Sequence, residues 1–199
     1  MPVNADALFD CLFLADRLQG EDGRASIPEI HLFAYLGCLL WLYRHRTVTE
    51  WGYSFVGTEF GAPFSVDIDS GLTFLIDQGH VIRSESRITL SAQAGIYLKT
   101  LTTLELNRER TECLSAACAS TAALSPGMVS SALARDPELA RARKVPMTRS
   151  LLEEVAVTEL YGQFSVIQQN LRFEYDDLRV PAVVWLSALQ SLDAPAVEG

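Results

Sequence analysis

The stretch from Ile30 to Tyr43 constrains this chain more than any other, because it is apolar almost all the way round a helix. A helix with no polar face has to be enclosed by other elements, and this one is too short for the roughly 20 residues that cross a bilayer. Ser26 and Glu29 form a Ser-x-x-Glu capping box ahead of it, with Pro28 in the first turn. The spacing predicts a central helix from the capping box to about Arg46, against which everything else packs.

The flanking patterns are helical too. Asn4 can cap a first helix through about Leu18, in which Leu8, Cys11, Leu12, Ala15 and Leu18 recur on one face, Asp10 interrupts an apolar run, and Gly20 and Gly23 mark the end. Thr47 and Glu50 repeat the capping-box spacing and predict a short third helix through Trp51 and Tyr53, then a glycine-bearing loop from Gly57 to Pro63. Ser65 can cap a fourth helix, with Ile68, Leu72, Leu75 and Ile76 on one face and Gly79 as its C-terminal cap. Two β-prone runs follow, His80 to Arg83 and Arg87 to Leu90, with Ser84, Glu85 and Ser86 between them as a hairpin connection.

Beyond the hairpin, Ser91 can cap a long helix from about Ala92 to beyond Asn107 that continues past Cys113. Ser125-Pro126-Gly127 and Asp136-Pro137 punctuate the next helical region; one more helix is expected from Thr148 to about Gln169, and a last one from Pro181 to near Leu192. The expected fold is mainly α: an N-terminal helix (1–25), a winged-helix-like module of three helices and a β-hairpin (26–90), a C-terminal helical region packed on it (91–192), and a flexible tail (193–199).

Composition narrows the function. The net charge of −9 repels a phosphate backbone unless the basic side chains gather on one face, so free-standing nucleic-acid binding is disfavoured. Cys11, Cys38, Cys113 and Cys118 include no Cys-x-x-Cys pair, and three of them lie in apolar helical stretches, a usage that suits a reducing, cytoplasmic compartment. The apolar run from Ala7 to Ala15 lacks the basic opening of an export signal, and no membrane association is expected.

Motifs for chemistry are sparse. The segment Gly52 to Gly57 places its second glycine one residue too late for a nucleophile elbow, and His31, His45 and His80 have no metal-ligand spacing. Asp67-Ile68-Asp69-Ser70-Gly71 fails as a calcium loop, with its glycine one position early and Gln78 where a bidentate glutamate belongs; the aspartates suit the first turn of a helix. No enzyme activity, cofactor or metal is expected.

Binding is the alternative. The fourth helix, the recognition helix of a winged helix, carries Asp67, Asp69 and Asp77 and no Lys or Arg, which opposes entry into a DNA groove. Arg83 and Arg87 on the wing, and the later Arg141, Arg143 and Lys144 beside Arg135 and Arg149, are candidates for backbone contacts or for ordinary solvated surface. The aromatic segment of Trp51, Tyr53, Phe55, Phe60 and Phe64 reads either as a satellite core under a loop or as an interface anchor, with Trp51, Tyr53, Phe55 and Phe64 the candidate partner contacts.

Several stretches carry a resemblance: Phe33-Ala34-Tyr35-Leu36, Glu50-Trp51-Gly52-Tyr53-Ser54-Phe55, Ala62-Pro63-Phe64-Ser65, a helix closing at Asp77-Gln78-Gly79, and Leu178 to Leu186. Together these resemble the small middle component of bacterial three-component ABC-ATPase systems, including Lamassu-type antiphage defence. The resemblance implies a non-enzymatic accessory subunit that joins an SMC-like ABC ATPase to an effector, often a nuclease, with DNA contacted only within the complex. Winged helices in SMC accessory proteins serve mainly as protein-binding modules, which agrees with the acidic fourth helix. The rival reading is a winged-helix transcriptional regulator that binds DNA as a dimer, and its mark would be a basic recognition surface.

Overall fold

The computed structural model describes residues 3–19, 25–144, 149–170 and 177–191. Helix α1 (Ala5–Arg17) starts where the Asn4 side chain accepts the amides of Asp6 and Ala7 at 2.9 and 3.2 Å. Strand β1 (Ala25–Ser26) runs directly into α2 (Ile27–Tyr43), whose Ser26–Glu29 capping box is formed. Every residue of α2 from Ile30 to Leu40 is buried, so this helix is the centre of the molecule. The glycines expected to end α1, Gly20 and Gly23, lie outside the described residues.

The second capping box gives α3 (Val48–Trp51), a single helical turn. A small hairpin of β2 (Val56–Gly57) and β3 (Pro63–Phe64) leads into α4 (Val66–Asp77), and Gly79, at φ 71°, turns the chain into β4 (Val81–Ser84) and β5 (Arg87–Leu90). The order helix, helix, helix, hairpin from residue 28 to 90 is as the capping signals predict, except that α3 ends at Trp51, short of Tyr53, and the expected loop from Gly57 to Pro63 is closed by the β2–β3 strand pair. The sheet has a member those signals do not predict: β1 pairs antiparallel with β5, giving the order β1-β5-β4 with Ala25 opposite Ile88 and Val81 opposite Leu90. Helix α1 packs on α4 and β5, so the three long helices around this sheet are α1, α2 and α4.

The expected long helix after residue 91 is broken. Helix α5 (Ala92–Thr102) stops, a 3-10 turn covers Glu105–Asn107, and α6 (Arg108–Ala119) begins afresh. The Thr102 and Thr103 hydroxyls donate to the carbonyls of Lys99 and Thr100 at 2.9 and 2.7 Å, and the Asn107 side-chain amide donates to the Leu101 carbonyl at 2.9 Å. Side chains that take over carbonyls in this way compete with helix continuation. The break lets α6 pack along α2, where Gly37 permits the approach: a Cβ there would stand 2.8 Å from Leu114 Cδ2.

Helices α7 (Pro126–Leu133) and α8 (Pro137–Lys144) follow the two proline signals. Strand β6 (Arg149–Ser150) then adds to β2, making a second sheet in the order β3-β2-β6. Helix was expected to begin at Thr148, which lies outside the described residues; the next helix, α9 (Glu154–Asn170), starts only after this strand. Helix α10 (Arg179–Ser191) carries Pro181 in its first turn. The tail from 193 to 199 lies outside the described residues. No single described helix is long and apolar enough to cross a membrane.

Candidate functional site

Gly52 determines where the aromatic segment goes. At φ 90° it turns the chain back after α3, and the Asn4 side-chain amide donates to its carbonyl at 2.8 Å. The aromatics on either side therefore face inward. Trp51, Tyr53 and Phe55 are buried, with Trp51 edge-on to Trp41 at 5.8 Å and Phe55 edge-on to Tyr35 at 5.3 Å. Phe64 is half-buried and stacks on His31 at 4.7 Å. Three of the four candidate partner contacts, Trp51, Tyr53 and Phe55, are thus core residues of the chain itself, covering the non-polar surface of α2, while Phe64 keeps part of its ring exposed. Phe60, at the tip of the β2–β3 hairpin, is the aromatic of this segment that faces outward, 81% exposed.

Beneath the aromatic turn lies a buried ionic network. Arg110 of α6 donates through Nε to Asp10 Oδ1 at 2.6 Å and through Nη2 to Oδ2 at 2.9 Å, while the same Nη2 reaches the Trp51 carbonyl at 2.9 Å. The Tyr53 hydroxyl donates to Asp10 Oδ2 at 2.5 Å, and the guanidinium lies 4.0 Å from the Trp51 ring centroid. Burial pushes the Asp10 carboxyl up, against the pull of Arg110 and the Tyr53 hydroxyl, and Asp10 in turn holds Arg110 charged.

Asp10, at the centre of this network, has no exposed surface for a substrate to reach. The network ties α1, the turn after α3 and α6 together. The signal in the sequence is the lone aspartate inside the apolar run of α1: a charge on a buried face needs a buried counter-charge. The four cysteines are buried, and burial pushes the Cys113 and Cys118 thiols up to about 12. Among the described residues no cluster of three or more His, Cys, Asp or Glu could hold a metal.

The basic candidates are exposed but lie on separate elements. Arg83 donates through Nε to the Glu85 carbonyl at 2.8 Å, and Arg87 is exposed on the neighbouring strand of a hairpin that packs on α1 and α4. Arg141 pairs with Glu138 and approaches Glu159 at 3.6 Å, Arg143 runs along Gly61, and Lys144 is exposed at the end of α8, which packs on β2. The outward face of α4 shows Val66, Asp69, Ser70, Thr73, Phe74, Asp77 and Gln78. It is acidic and apolar.

Next to that face, α1, the end of α4, α5 and the 3-10 turn enclose a groove of about 540 Å³. Its floor is Phe9, Leu12 and Leu75, all buried; its rim includes Phe74, Tyr97, Leu104 and Leu106, all exposed. The continuous helix expected from about Ala92 to beyond Asn107 would hold no such groove; the threonines at 100, 102 and 103 are the sequence signal for the break that opens it. No family model, curated protein or solved structure matches this chain.

Proposed function

We propose that the chain is a non-enzymatic accessory subunit that docks to an SMC-like ABC ATPase and joins it to an effector such as a nuclease in bacterial antiphage or anti-plasmid defence. The observation that carries this reading is the outward face of α4. The module expected at 26–90 is extended to take α1 as its first helix, because α1 packs on α4 and β5; in the order α1-β1-α2-α4-β4-β5, read as a winged helix with α3 and the β2–β3 hairpin inserted, α4 is the helix that would enter a DNA groove. It turns Asp69 and Asp77 outward beside Val66 and Phe74, and the helix contains no cation. Carboxylates repel phosphate, whereas exposed apolar side chains beside charge are what a protein interface uses. The resemblance in the Phe33 to Gly79 region supplies the identity of the partner, and the cysteine usage fits the cytoplasm, where such complexes act.

Affinity purification of the tagged protein from its native host, with mass spectrometry of what accompanies it, tests the proposal. An SMC-like ATPase in near-stoichiometric amount is the expected result. Recovery without any ATPase, together with selective binding of an operator-like duplex by a dimer, would replace this reading with the transcriptional regulator.

A further inference from the structure

We propose that the groove between α1, α4 and α5 is the seat for an amphipathic helix of the partner protein, one with an apolar face and Lys or Arg along its flanks. The inference rests on reading the chain as a docking subunit and names the surface and the chemistry it recognises.

The groove is a built feature. Leu106 is 79% exposed, yet it sits on a turn fixed by its neighbour: Asn107 is buried and donates to the Leu101 carbonyl at 2.9 Å. Tyr97 is held in place too, with its hydroxyl accepting from Gln93 Nε2 at 2.7 Å and its ring edge-on to His80 at 5.5 Å. Large apolar side chains are therefore kept exposed on anchored backbone above a floor that is already packed, the pre-organised arrangement that lowers the ordering cost of binding. Helical walls on both sides suit a third helix laid between them.

Charge selects the occupant. Asp6 lines the groove, and Asp77 follows Phe74 by one helical turn on α4. Arg110, near Asp6 at 3.8 Å, is already committed to Asp10; Glu105 and Arg108 pair with each other at 3.0 Å; and Lys99 falls on a different face of α5 from Tyr97 and Leu101. Asp6 in the lining and Asp77 on α4 just outside it make the surroundings of the groove acidic, in a chain with a net charge of −9. A second copy of this chain in two-fold contact would set these carboxylates against themselves, whereas a basic-flanked helix would satisfy them.

The probes are two labelled synthetic peptides with the same leucine pattern at helical spacing, one with lysine and one with glutamate at the remaining positions, titrated against the full chain by anisotropy. The lysine peptide is expected to bind at least tenfold tighter than the glutamate peptide. Leu106→Ala and Phe74→Ala are each expected to weaken it about tenfold or more, and Asp77→Lys to narrow the preference, with thermal unfolding unchanged for Leu106→Ala and Asp77→Lys. Equal affinity for the two peptides overturns the proposal, as does binding indifferent to Leu106→Ala, or light scattering that shows a dimer dissolved by Leu106→Asp. Leu106→Asp also separates the two readings in the native host: if it recovers the ATPase as well as the unaltered protein does, the subunit stands and the groove assignment falls. Groove-dependent peptide binding by a protein that captures no ATPase leaves the groove standing and removes the ATPase.

Discussion

Removing the Arg110 guanidinium would leave the Asp10 carboxylate sealed in the core with only the Tyr53 hydroxyl to answer it. Arg110→Met is therefore expected to cost about 3–5 kcal/mol, measured by urea unfolding. Asp10→Leu combined with Arg110→Met should cost clearly less than the two single changes added together, because no unpaired charge remains. A sum that is simply additive would mean that the pair is not coupled. His31 gives the other residue-scale test. Its Nδ1 accepts the Ser65 amide at 3.2 Å, and burial pushes it down to about 4, below the roughly 6.5 of an unfolded histidine. The unfolded chain thus takes up a proton that the folded one refuses, so this contribution is complete above about pH 6.5 and falls by about 3 kcal/mol on acidification to pH 4. Asp136 works in the opposite direction: burial pushes it up to about 6, so the folded state gains relative to the unfolded as pH drops through that value. The two overlap between about pH 4 and 6 and partly cancel in the unaltered protein. Comparison with His31→Asn, which keeps an acceptor, isolates the histidine: the unaltered protein should lose ground to the variant as pH falls from 7 to 4.5. A Tm difference that stays constant with pH would refute this.

At the level of elements, two glycines with similar backbones should respond differently to substitution. Gly52 and Gly79 both have positive φ, 90° and 71°, so either change to alanine carries the left-handed penalty of about 1–2 kcal/mol. Around Gly79 nothing lies within 4 Å of an added Cβ, but at Gly52 the same atom would come within 2.3 Å of Asp6 Oδ2. Gly52→Ala should therefore destabilise more than Gly79→Ala, and the excess should vanish in an Asp6→Ala background. Equal costs in both backgrounds would show that the α1–α3 contact yields freely. The threonine-rich end of α5 shows the same local logic: hydroxyls that capture carbonyls stop a helix whose apolar pattern runs on, and the stop frees Leu104 and Leu106 to line a groove.

For the whole molecule, charge is the governing quantity. A net charge of −9 and a fourth helix with only carboxylates as its charged groups oppose approach to DNA, and the exposed arginines among the described residues are scattered, with Arg17, Arg46, Arg108 and Arg179 lying away from those of the β4–β5 hairpin and α8. The purified protein is expected to bind labelled duplex weakly and without sequence preference at physiological salt. Submicromolar, selective binding would contradict the assignment of α4 to a protein interface.

What the sequence by itself determined is what depends on neighbours along the chain. Both capping boxes, the Asn4 cap, the left-handed glycine after α4 and the hairpin that follows rest on residues fewer than ten positions apart, and the central place of α2 follows from its having no polar face. Tertiary structure decided what depends on residues far apart: that Asp10 answers Arg110, that Trp51, Tyr53 and Phe55 close over α2 instead of facing a partner, that β1 joins β5, and that β6 joins β2. An aromatic run has the same composition whether it covers its own core or another protein. Which surface lies nearest is set by long-range packing, and in this chain the nearest surface is the apolar side of its own central helix.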